Sequence, residues 1–193
     1  MVGAWDINVS VGKMPEKVAT ACGKLNELVG AEYTPIAYLG SQVVNGTNHA
    51  VLAEQLVITG KDTKNVVVLI FNEKANEMEA TLVNIERVVE SGGELGGVSV
   101  DVKTEIPEEA QAAFDKAFDD RVGVKVEPFA LLGTQVTKGT DYIFAAEVTP
   151  VVQEPEKKVA IVVVNGLEKT VVFADLLKGK VETMLGYAFT WLK

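Results

Sequence analysis

Cysteine and histidine are nearly missing from this chain of 193 residues, with one of each. A single cysteine, Cys22, excludes an intrachain disulfide framework and a thiolate zinc site. A single histidine, His49, leaves little for acid–base chemistry near neutral pH. Long hydrophobic runs are also lacking. The apolar stretch Val66 to Phe71 falls far short of the roughly 20 residues of a membrane-spanning helix. Positive charge is scarce: 18 Lys and Arg stand against 27 Asp and Glu, a formal net charge of −9. That sign repels phosphate backbones and anionic lipid, so neither nucleic acid nor membrane is an expected partner. Met1 to Asp6 leads straight into alternating sequence with no charged-then-apolar leader, which makes the cytoplasm, or a place in an assembly, the default expectation. What the chain does have is 48% apolar residues, enough to bury a core.

The most informative feature present is internal repetition. Residues Val29 to Glu54 align without gaps on Val122 to Glu147, and twelve of the 26 positions are identical. Among them are Pro35 and Pro128, Leu39-Gly40 and Leu132-Gly133, Gln42-Val43 and Gln135-Val136, Gly46-Thr47 and Gly139-Thr140, and Ala53-Glu54 and Ala146-Glu147. The chain reads as a tandem duplication: a first domain over 1–91, a Gly-rich linker over 92–97, and a second domain over 98–193.

Each copy opens with period-two alternation, the mark of a half-buried strand: Trp5, Ile7, Val9 and Val11, then Val98, Val100 and Val102. Helices are expected over Pro15–Leu28 and Pro107–Arg121, with proline at the start and acid in the first turn. Val18, Ala21, Leu25 and Val29 are spaced for one helical face, as are Ala110, Phe114, Phe118 and Val122. Gly30 and Gly123 are expected to stop the two helices. Two long strands around a glycine turn follow, about 33–58 and 126–151, then near-continuously apolar strands, Val66–Phe71 and Val159–Val164. Further strands are expected over Thr81–Val89 and Thr170–Leu177. The fold class expected is therefore α+β, two domains each with one helix packed on a curved antiparallel sheet. Leu185, Tyr187, Phe189 and Trp191 alternate in a final segment without a counterpart in the first copy.

The hairpin sequence Gln42-Val43-Val44-Asn45-Gly46 after a strand–helix–strand lead resembles the Gln-x-Val-x-Gly loop of the cystatins, inhibitors of papain-like cysteine peptidases. Thr47-Asn48-His49 is similar to the cystatin continuation, and the element order matches over nearly the whole of each copy. The resemblance implies a reversible inhibitory wedge in which Gly3 is the N-terminal glycine and Gln42, Val44, Asn45 and Gly46 form the first loop. The tryptophan of the cystatin second loop has no counterpart in Asn72–Glu79 or at Asn165-Gly166, and the second copy reads Gln135-Val136-Thr137-Lys138-Gly139. The first copy is thus the candidate inhibitor, and a bulky residue at Gly46 is expected to block docking while sparing the fold. The same residues have a plainer reading: Asn45-Gly46 as a two-residue type I′ turn, with Gln42 paired to nearby backbone.

No catalytic residue, metal ligand or cofactor is assigned. Cys22 lies mid-helix and reads as a small core residue, and the acidic clusters read as solvated faces. The expected role is non-catalytic protein binding, with a papain-like cysteine peptidase as the sharpest partner. The alternative is a structural, assembly-forming protein that self-associates through open sheet edges and the segment carrying Tyr187, Phe189 and Trp191.

Overall fold

The computed structural model describes residues 3–92, 97–167 and 171–177. The chain divides into two compact units, Met1–Glu90 and Ser91–Lys193. Unit 1 runs β1 (Trp5–Val11), α1 (Glu16–Leu25), β2 (Ala31–Val44), β3 (Gly46–Val57), β4 (Thr63–Glu73) and β5 (Thr81–Glu90). Unit 2 runs β6 (Val98–Lys103), α2 (Glu108–Phe118), β7 (Val124–Thr137), β8 (Gly139–Pro150), β9 (Lys158–Asn165) and β10 (Val171–Asp175). Among the described residues each unit holds one five-stranded antiparallel sheet, ordered β1-β2-β3-β4-β5 and β10-β9-β8-β7-β6.

The expected α+β class is corrected: the protein is mostly β. Strand dominates the described residues, and helix is confined to two short segments of 10 and 11 residues. The paired strands β2 and β3 run 14 and 12 residues and β7 and β8 do the same, well beyond the usual five or six. Reading each unit as a helix packed on a sheet overestimated the helices, because they end earlier than their apolar spacing suggests. In α1 the backbone N–H groups of Asn26, Glu27 and Leu28 turn back to Gly23, Lys24 and Leu25 in tight i→i−3 bonds. The Asn26 side chain then takes both backbone groups of Tyr33, at 2.7 and 3.0 Å, and leads the chain into β2. Val29 and Val122, expected on helical faces, are fully exposed. Gly30 and Gly123 do not stop the helices either; their carbonyls accept from Ile58 and Val151 N–H groups, both at 2.9 Å, and so open the long hairpins.

The residues shared by the two copies are those that bend the sheets. In β2 the pairing with β3 slips after Pro35 and again after Tyr38, leaving Ile36 and Leu39 as extra residues. In β7 the slips after Pro128 and Leu131 fall at the same places. Such bulges bend a strand and increase its twist. Gly40 and Gly133 follow the second slip, where the preceding strand crosses so closely that a Cβ would run into the carbonyl oxygen of Asp6 or Ser99.

Val18, Ala21, Cys22 and Leu25 of α1 pack with Tyr33, Tyr38, Val51, Val67, Leu69 and Phe71 on one face of the first sheet. In unit 2, Ala110, Phe114 and Ala117 pack with Leu131, Phe144, Val162 and Val164. Volume is exchanged between layers: Cys22 faces a sheet carrying Phe71, whereas Phe114 faces a sheet carrying Val164. Phe114 also meets Phe144 edge-on, with centroids 5.1 Å apart. The alternate positions Ala50, Leu52, Val66 and Val68, with Ile143, Ala145, Ile161 and Val163, are buried too. That two-sided burial explains the near-continuous apolar runs in β4 and β9.

Candidate functional site: the hairpin end of the first unit

At one end of the first sheet three separated pieces of chain meet: the start of β1, the β2–β3 turn and the end of β4. The register places Trp5 opposite Gln42, Val44 opposite Gly46, Thr47 opposite Glu73, and Asn48 opposite Asn72. Gly3 donates its backbone N–H to Val43 O at 3.1 Å, and its carbonyl accepts from Gln42 Nε2 at 2.8 Å. Gln42 Oε1 in turn accepts from Asn48 Nδ2 at 3.0 Å. Asn72 Nδ2 donates to Asn48 Oδ1 at 2.8 Å and to Asn45 O at 3.3 Å. The five residues singled out from the sequence, Gly3, Gln42, Val44, Asn45 and Gly46, therefore share one locality, joined by side-chain amides.

Those residues divide into a scaffold and a presented surface. Gln42 is spent internally on Gly3 and Asn48. Gly46 sits at φ 93°, and a Cβ there would lie 2.5 Å from Glu73 O, so it is a structural glycine. The expectation that a bulky residue at Gly46 spares the fold is corrected accordingly. The type I′ reading of Asn45-Gly46 is also corrected. Such a turn needs positive φ at both central residues, and Asn45 has none. What points outward is Val43, 59% exposed, and Val44, 40% exposed.

The second unit builds the same end with different chemistry. Asn165 Nδ2 donates to Asp141 Oδ1 at 2.6 Å and reaches Lys138 O at 3.5 Å, as Asn72 reaches Asn48 and Asn45. Gly139, at φ 100°, packs against the Leu167 side chain. Sequence reasoning missed Asn72 and Asn165 as partners of the hairpins. The signal was available, since both stand 93 positions apart, the offset of the repeat, but beyond its gap-free block.

Behind the first hairpin end lies a cluster peculiar to unit 1. His49 is only 7% exposed. Its Nδ1 lies 2.9 Å from Tyr38 Oη, and its Nε2 lies 3.3 Å from Glu73 Oε2 without an aligned hydrogen bond. Lys17 Nζ sits 2.9 Å from Glu73 Oε1 and donates to Glu77 O at 3.1 Å. Burial pulls the His49 pKa below its ordinary value against the opposing pull of Glu73. The hydrogen bond from Lys17 holds the Glu73 carboxyl below the usual carboxylate range, with His49 adding to it.

Cys22, in the helix, is buried, and burial pushes its thiol up to about 11. A thiol held that high is a poor nucleophile at neutral pH. Among the described residues no group of three or more His, Cys, Asp or Glu is arranged to hold a metal ion, and no helix is long and apolar enough to cross a membrane. Tyr187, Phe189 and Trp191, the residues of the expected assembly strand, lie outside the described residues. Compared with known proteins, the chain matches no family model and no curated protein.

Proposed function

We propose that the protein is a non-catalytic protein-binding protein whose first-unit hairpin end docks in the cleft of a papain-like cysteine peptidase and blocks it reversibly. The observation that carries this reading is the tie between Gly3 and Gln42-Val43, which fixes Gly3 beside the hairpin. A tip already cross-linked by Gln42, Asn48 and Asn72 loses little freedom on docking, which favours affinity. The stretch Ser41 to Asn48 contains no charged residue, although the chain carries a net −9, so no buried charge opposes its entry into a cleft. Val43 and Val44 supply the apolar contact, and the likeness of this loop to Gln-x-Val-x-Gly names the target class.

The test is titration of papain with the full chain and with a Val43→Asp, Val44→Asp double variant. Both side chains are exposed, so the variant is expected to keep its fold, which its melting temperature checks. Competitive, reversible inhibition by wild type that weakens at least about tenfold in the variant is the expected result, a loss of about 1.4 kcal/mol. Wild-type protein without effect on several papain-like enzymes at high micromolar concentration overturns the reading.

A further inference from the structure

The chain's one histidine is buried where unit 2 carries a tyrosine, which keeps its proton at neutral and acid pH. At the repeat offset, Tyr38, His49 and Glu73 correspond to Leu131, Tyr142 and Gly166. Four elements of unit 1 converge on the imidazole or its partners: Tyr38 from β2, His49 itself from β3, Glu73 from β4 and Lys17 from α1. Asp6 of β1 and Ser41 stand beside the Tyr38 hydroxyl, and the Glu77 carbonyl holds Lys17. Nε2 faces a carboxylate and so carries the proton of the neutral ring, leaving Nδ1 to accept from the Tyr38 O–H. A second proton must go on Nδ1. It turns that acceptor into a donor, forces the Tyr38 hydroxyl to reverse, and puts a cation on a ring that is only 7% exposed. Glu73 offers compensation at 3.3 Å, but it is already engaged by Lys17.

We propose that Tyr38, His49 and Glu73 form a proton-operated latch: with His49 neutral the hairpin end is locked to β4 and α1, and a proton on His49 releases it. Glu73 carries the coupling. Its side chain joins His49 to Lys17, while its backbone pairs with Thr47 and its carbonyl abuts Gly46. Acid therefore loosens residues 41–48 and 72–73 and leaves the matching residues 134–141 and 165–166 of unit 2 in place. The latch is a property of the free protein and stands whether or not the docking reading does.

The experiment uses the full chain and reads two signals. Being the only histidine, His49 gives an unambiguous imidazole resonance, expected to titrate with a midpoint below the ordinary 6.5. Amide hydrogen exchange, corrected for intrinsic rates, is expected to rise about tenfold in 41–48 relative to 134–141 between about pH 7.5 and about pH 5, as the proton enters His49 and the hairpin end opens. In His49→Gln that relative change disappears. An imidazole midpoint at or above 6.5, or equal pH dependence of the two hairpin ends in wild type, overturns the proposal. The wild-type signals decide the matter even if the variant fails to fold.

Discussion

Asn72 and Asn165 stand 93 positions apart and perform the same task, each sending a side-chain amide across to the tip of the neighbouring hairpin. Asn72 meets Asn48 and the Asn45 carbonyl, and Asn165 meets Asp141 and the Lys138 carbonyl. The acceptor differs between units: an amide oxygen in the first and a carboxylate in the second. A bond to a charged acceptor is worth roughly twice one between neutral groups.

Asn72→Ala is therefore expected to lower stability by about 1 kcal/mol, and Asn165→Ala by about 1.5–3 kcal/mol. Thermal denaturation of the two variants ranks them. Equal losses would show that the Asp141 charge contributes nothing at that tip.

Glycine at position 46 is expected to resist every substitution. Even Gly46→Ala brings a Cβ within 2.5 Å of Glu73 O at a backbone angle that L-residues avoid, and a cost of about 1–3 kcal/mol follows. Loss of binding in a Gly46 variant cannot by itself identify a contact residue, so Val43 and Val44 are the positions that separate docking from folding. A Gly46→Ala protein that melts with wild type would show that β4 shifts freely away from the turn.

Part of the fold was legible in the residues, although its class was not. The duplication, the order of elements and the pairing of long hairpins follow from Pro35 and Pro128, Gly40 and Gly133, and the runs in β4 and β9. The local gathering of Gly3, Gln42, Val44, Asn45 and Gly46 was legible as well, through the likeness of one loop. The balance between helix and sheet was not, because Val29 and Val122 continue the helical spacing past the ends of α1 at Leu25, where Asn26 turns the chain toward β2, and of α2 at Phe118. Periodicity reports which side chains could share a face, and a side-chain amide that ends the helix early leaves no mark on it. The His49 cluster was also hidden. Lys17, Tyr38, His49 and Glu73 come from four elements, and no local pattern joins them.

Glu73→Gln separates the influences on His49. The carboxylate is the one charge that favours the imidazolium, while burial opposes it. Removing that charge leaves burial alone, so the imidazole midpoint is expected to fall further. The sign for stability follows from the depressed value. Neutral His49 stabilises the fold fully above about 6.5, and this contribution is lost as pH falls through the lower folded-state midpoint. Glu73, also depressed, contributes above its ordinary 4.5 and loses that contribution below it. Acid unfolding of wild type is thus expected to begin with His49 and deepen with Glu73. In Glu73→Gln the second stage is smaller, which far-UV circular dichroism against pH would show. A midpoint that rises in Glu73→Gln contradicts the assignment of the carboxylate as the favourable charge.

Cys22 supplies a probe of the first unit that requires no mutation. It lies beneath a shallow groove of about 200 Å³ lined by Met14, Ala19, Cys22, Gly23, Asn26, Tyr33 and Pro35. The side chain is nevertheless buried, and its thiol is pushed up to about 11. At about pH 8 only about one molecule in a thousand carries the thiolate, which is the form that attacks disulfide reagents. The native protein is therefore expected to be nearly silent to a dithio-nitrobenzoate reagent and to release one equivalent of thiol on denaturation. The native rate then measures opening of α1 from its sheet, because attack requires the helix face carrying Val18, Ala21 and Leu25 to separate from Val51 and Leu69. If Cys22 instead reacts in the native state as fast as a free thiol, the groove reaches the sulfur and the packing of α1 against the first sheet is looser than its buried face indicates.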